Sequence, residues 1–161
     1  MKKHTLSVTV ENRPGVLTRV ATLFRRRGYN IESLTVGASE DPSVSRITIV
    51  VFGDDQVIEQ VTKQLYKLVD VIKIVDITDE RAVERELVLI KVKADPSVRA
   101  EIVQITDIFR GRIVDIGGNT LIIEATGDSG KIDAIEDSLK PFGILELVRT
   151  GKVAMVRGWK Q

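Results

Sequence analysis

The 161-residue sequence predicts an α+β fold of two small βαββαβ domains. Three observations carry this expectation. Strand-like runs with apolar residues at every second position, such as "HTLSVTV" and "SRITIVVF", are separated by segments in which they recur every three to four. The order strand, helix, strand, strand, helix, strand can be read twice. Between the two readings lies the charged stretch "TDERAVERE", a natural joint, which places the domains at residues 1–78 and 79–161.

In the first domain Leu6, Val8 and Val10 alternate with Thr5, Ser7 and Thr9, the period of a strand with one buried face. Pro14 to Arg27 then reads as a helix. Pro14 suits its first turn, Val16, Leu17, Val20, Ala21, Leu23 and Phe24 form the stripe, and Gly28 is its left-handed stop. Strands at 31–38 and 45–52 flank "SEDPS" and form a hairpin, the second turning Ile47, Ile49 and Val51 to one side. Asp54 or Asp55 caps a helix with the stripe Val57, Ile58, Val61, Leu65, Leu68 and Val69, and "VIKIVDI" follows as a strand.

The second domain repeats the order. "ELVLIKVKA" is a strand, followed by a helix with Asp95 as cap, Pro96 at its first position and Gly111 as stop. "RIVDI" and "TLIIEAT" flank the hairpin signal "GGN". Ser129 caps a helix whose stripe is Ile132, Ile135 and Leu139, and "ILELVRT" closes the series. Each half is thus a split βαβ, or ferredoxin-like, unit with both helices on one sheet face. In the first domain Thr5, Ser7, Thr9 and Thr48 predict that the opposite face is open and mostly polar.

Composition narrows the chemistry. Lys and Arg number 24 against 23 Asp and Glu, so no net field gathers nucleic acid or anionic lipid. The central strands also lack the aromatic residues on which RNA-binding modules of this topology stack bases. With no Cys and one His, thiolate catalysis and cysteine or clustered-imidazole metal sites are excluded. His4 is expected to be solvated or on an edge strand. "GDSGK" lacks the spacing of a phosphate loop. No apolar run approaches the roughly 20 residues of a membrane span, so the chain is expected to be cytoplasmic, with neither membrane nor nucleic acid as a partner.

The stretch "ENRPGVLTRV" stands out. A glycine in the first turn of a helix leaves room for an anion or another backbone beside unpaired amides, or simply permits tight packing at a βα turn. Asn12 just before Gly15, and Asn30 at the start of the next strand, carry donors and acceptors. Val16, Leu17 and Ile31 would add an apolar wall. Amides beside an aliphatic pocket suit a small branched-chain amino acid, its carboxylate and ammonium held and its side chain desolvated.

These residues also carry a resemblance. "ENRPGVLTRVATLFRRRGYNIESLTVG", "DPSVSRITIVV", "KQLYKLVDVIKIVD", "VERELVLIKV", "IFRGRIVDIG", "SGKIDA" and "RTGKVAMVRG", in this order over nearly the whole chain, closely resemble the small regulatory subunits of acetolactate synthase, or acetohydroxyacid synthase. The resemblance implies an N-terminal ACT domain, a homodimer formed through it, and valine, leucine or isoleucine at the dimer interface. Carried over by position, Asn12, Gly15, Val16 and Leu17 of one chain would face Asn30 and Ile31 of the other. Pro14 stands where relatives vary. The implied partner is the large catalytic subunit, on which thiamine diphosphate, magnesium and FAD are expected, while this chain carries no cofactor and no catalytic residues. The alternative is a free-standing branched-chain amino-acid sensor with another target.

Overall fold

The computed structural model describes residues 1–159. The chain forms two compact units, Met1–Val83 together with the segment from Ala154 onward, and Glu84–Val153. The division lies inside the charged stretch, and the return of the C-terminal segment to the first unit was not legible in the sequence.

The first unit contains β1 (Lys2–Glu11), α1 (Val16–Arg27), β2 (Ile31–Ala38), β3 (Val44–Gly53), α2 (Asp55–Tyr66) and β4 (Val71–Asp76). Its sheet has the order β2-β3-β1-β4 with antiparallel neighbours, so β1 and β3 are central and β2 is an edge. Alternation along β1 and β3 sends Leu6, Val8, Val10, Ile47, Ile49 and Val51 to the helix side, where they meet Val20 and Phe24 of α1 and Ile58, Val61 and Leu65 of α2. Each of these large side chains contributes roughly 1.5–3 kcal/mol by leaving water.

Three expectations change here. Val69 is 89% exposed because α2 ends at Tyr66 and the residue lies in the turn beyond it. Thr5, Ser7 and Thr48, expected on an open face, are buried. All three stand on the central strands β1 and β3, and the Arg46 guanidinium lies over Ser7, its Nε donating to Oγ at 2.9 Å. His4 is 3% exposed, not solvated: it sits on central β1, shares the parity of Leu6, and lies 3.3 Å from Asp76 Oδ2 through Nδ1.

The second unit is built from β5 (Ala82–Lys93), which begins two residues before the division, α3 (Arg99–Ile108), β6 (Arg112–Ile116), β7 (Thr120–Gly127), α4 (Ser129–Leu139) and β8 (Ile144–Arg149). The order β6-β7-β5-β8 repeats that of the first sheet. Val88, Ile90 and Val92, with Leu121, Ile123 and Ala125, pack on Ile102, Ile132, Ile135 and Leu139. The sequence pattern predicts β8 as the last strand, but a further short strand, β9 (Val153–Val156), pairs with β5. Beyond it the Arg157 amide donates to Arg81 O at 2.8 Å.

Helix ends differ from expectation where several polar residues compete. α3 starts at Arg99, not at Pro96, because Asp95 closes a turn of its own by accepting the Ser97 amide at 2.9 Å and the Ser97 hydroxyl. Its stop is Arg110, at φ 56, and Gly111 follows with its amide on Thr106 O. The cap of α4 is Asp128, whose carboxylate accepts the Lys131 amide at 2.8 Å, not Ser129. Asp128→Ala is therefore expected to cost about 1 kcal/mol of stability, and Ser129→Ala only a few tenths, in denaturant melts. Equal losses would remove the assignment. At α2, Asp54 caps Val57 at 2.9 Å.

A charged cluster closes the second unit. Arg149 Nε donates to Glu86 Oε1 at 2.9 Å, and its Nη1 to Asp133 at 2.7 Å, while Glu86 is buried. Burial lowers the pKa of Arg149, but hydrogen bonds to Asp133 and Glu86 and their charges outweigh this, leaving it raised.

Candidate functional site

The site is built at the turn between β1 and α1. As β1 ends, the Glu11 amide donates to Asp70 O at 2.9 Å and the Asn12 amide to Ser43 O at 2.8 Å. The Asn12 side chain donates to Pro42 O at 3.1 Å. Asn12 thus fastens the turn to the β2–β3 hairpin. That hairpin is itself held by Asp41, which accepts the Ser43 amide and hydroxyl at 2.9 and 2.7 Å.

The Ser43 hydroxyl, then its amide, hold the Asp41 carboxyl below its ordinary pKa. A carboxyl with a lowered folded value contributes stability above its unfolded value and loses it as pH falls through the folded one. Ser43→Ala should move the Asp41 titration upward in a carboxyl-resolved NMR experiment. An unmoved titration would contradict the hydrogen-bond account.

Pro14 was expected in the first helical turn, but helix α1 starts only at Val16. Gly15 is the residue before it, at φ 84, ψ −5, and its carbonyl accepts the Arg19 amide at 3.0 Å. A left-handed φ at this corner favours glycine, which answers why glycine stands there. Because that cap residue has no side chain and the first turn no acidic residue, the leading amides of α1 lack a side-chain acceptor.

Arg19, one turn on, was not singled out from sequence. Its Nη1 lies 3.1 Å from where a Cβ on Gly15 would stand. Its Nε and Nη2 lie 2.8 and 2.7 Å from Asp70 Oδ2, and Asp70 is only 3% exposed. The pairing spans 51 residues, so no local pattern announces it. It sets a cation beside Gly15.

The structure divides the six sequence-derived residues into two groups. Asn12, Gly15, Val16 and Leu17 lie where β1 ends and α1 begins. Asn30 and Ile31 lie where α1 has ended and β2 begins, after a helix of 12 residues, or about 18 Å. The register agrees: Ala38 at the far end of β2 pairs with Ser45, which also pairs with Val10, while Ile31 pairs with Val51. Leu17 is 44% exposed, whereas Val16 is 4% exposed and belongs to the core, where it fixes the first turn instead of lining a surface. Asn30 is exposed and Ile31 half-buried. Among the described residues no group of three or more His, Cys, Asp or Glu is placed to hold a metal ion, and no helix is long and apolar enough to cross a membrane.

Residues 6–73 match the model of the AHAS small subunit-like ACT domain, and residues 85–158 that of the small subunit of acetolactate synthase. The chain belongs to the acetolactate synthase small-subunit family. It is 62% identical over 159 residues to a probable acetolactate synthase small subunit of Archaeoglobus fulgidus, covering 99% of both chains. It is 53% identical over 157 residues to the acetolactate synthase small subunit of Mycobacterium bovis, covering 98% of this chain and 94% of that one. A crystal structure of the Thermotoga maritima acetolactate synthase small subunit superposes over the full length of both chains with a TM-score of 0.89 at 46% identity. The first unit of this small-subunit family member is accordingly an ACT domain.

Proposed function

We propose that this chain activates the large subunit of acetolactate synthase and makes it sensitive to valine, which binds between the ACT domains of two copies. The observation that carries the reading is the division of the site. No single chain can bring the Asn12–Gly15 corner and Asn30 around one small amino acid, because the length of α1 separates them. A second copy can.

Among the described residues, edge strand β2 has its ladder partner, β3, on one side only. Antiparallel pairing of β2 with β2 of another copy would lay Ile31 of one chain beside the Ala38 end of the other, and so Asn30 beside the Asn12–Gly15 corner. It would also satisfy an open edge and cover Val36, which is 43% exposed. In this reading the leading amides of α1 and the Arg19 cation take the carboxylate, Asn12 and Asn30 supply the remaining polar contacts, and Leu17 and Ile31 surround the isopropyl group.

The chain itself performs no chemistry, and thiamine diphosphate, magnesium and FAD belong to the large subunit. Regulation requires valine to bind the active and less active holoenzyme unequally, since equal binding shifts nothing. A coupling of about 1–3 kcal/mol corresponds to roughly 5- to 150-fold in affinity. The test is reconstitution with the large subunit, following acetolactate formation with and without valine. Activation that valine reverses supports the reading. A large subunit indifferent to this chain would end it.

A further inference from the structure

The first unit holds a groove between α1 and α2 of about 420 Å³ whose lining has Arg19 in common with the proposed valine site. Its apolar part is Leu23 and Leu68, both half-buried, and around them stand Arg19, Arg26, Arg27 and Lys67. No carboxylate lines it. Arg19 is held by Asp70, but Arg26, Arg27 and Lys67 form no ion pair among the described residues.

The distribution of charge selects the occupant. Arg19 and Arg26 are seven residues apart on α1, which separates them by about 10 Å along the helix. Cations meant for one phosphate would converge, whereas these are spread along a trough with an apolar floor. That arrangement complements a helical or extended peptide segment with an apolar ridge and carboxylates about two turns apart.

We infer that this groove is where an acidic, apolar-ridged segment of the large catalytic subunit docks. The inference rests on the regulatory reading above and adds the contact surface. It also gives the two events a shared residue. Arg19 borders Gly15 on one side and the groove on the other, so a carboxylate bound at Gly15 changes the guanidinium that the docked segment meets.

The test uses the full chain with Arg26→Glu and Lys67→Glu together, both on exposed side chains, and Arg26→Gln with Lys67→Gln as a milder pair. Association with the purified large subunit is measured by calorimetry at two salt concentrations, and valine binding by the small subunit alone. The expected result is at least about 10-fold weaker association for the reversed pair, a smaller loss with reduced salt dependence for the neutral pair, and unchanged valine binding. Wild-type-like association of the reversed pair would overturn the groove while leaving the regulatory reading in place. A wild-type chain that did not associate with the large subunit would overturn both. Titration with inorganic pyrophosphate is the last arm: saturable binding lost in the reversed pair, with association unchanged, would make this a small-anion site and overturn the docking assignment.

Discussion

Gly15→Asp is expected to leave a folded chain that still activates the large subunit but has lost valine binding by about 100-fold or more, measured by calorimetry. Two opposed effects decide this. A left-handed φ of 84 costs an L residue about 1–2 kcal/mol, and Asp is among those that tolerate it best. The nearest neighbour of the new Cβ, at 3.1 Å, is Arg19 Nη1, which need yield only a few tenths of an ångström while Nε and Nη2 stay on Asp70. The fold therefore survives. The ligand does not, because the new carboxylate occupies the space beside the α1 amides and draws Arg19 to itself, so valine meets bulk, like charge and an engaged cation. Gly15→Asn carries the same strain without the charge and should lose much less affinity. Equal losses in the two variants would assign the effect to backbone strain alone.

Phe24→Ala is expected to have the largest effect on stability, about 3–5 kcal/mol. Phe24 is among the largest fully buried side chains, and its ring meets Tyr29 edge-on at a centroid distance of 6.1 Å. Its carbonyl also accepts the Tyr29 amide at 3.1 Å as the chain leaves α1 through Gly28. The ring thus anchors the exit that delivers Asn30 and Ile31. The loss should appear in hydrogen exchange as deprotection of β1 and β3, while β5 and β7, which pack on a separate core, keep their protection. Uniform deprotection of both sheets, or none, would contradict the account. Weakened valine binding is expected in the same variant.

What the sequence disclosed and what it withheld have physical reasons. Alternation in "HTLSVTV" and "SRITIVVF" identifies the core face because a strand's side-chain period is two whatever surrounds it, and Leu6, Val8, Val10, Ile47, Ile49 and Val51 are all buried. Cap positions were less legible. Asp128 and Ser129 are adjacent, both can cap, and only the geometry of the preceding strand decides between them. The short strand β9 has too few residues to show a period.

The turn at Gly15 was recognised as unusual, but its cause, a left-handed corner, is a torsion and not a residue pattern. The exposure of Leu17 and the burial of Val16 follow from which way α1 faces, which single-residue hydrophobicity cannot tell. Arg19 and Asp70 were missed because they meet across the fold.

The central claim, a valine site built from two chains, is tested most directly by mixing two disabled variants. Gly15→Asp spoils one contribution, and Asn30→Leu removes the polar contacts of the other, so each alone should show little or no binding. If the site joins the Gly15 corner of one copy to Asn30 of the other, a mixed dimer has one intact site and one doubly broken. Random exchange after mixing equal amounts should then restore valine binding at about a quarter of the sites, with near wild-type affinity. If the mixture binds no more valine than its two components do separately, the site does not lie between two copies and the account is wrong.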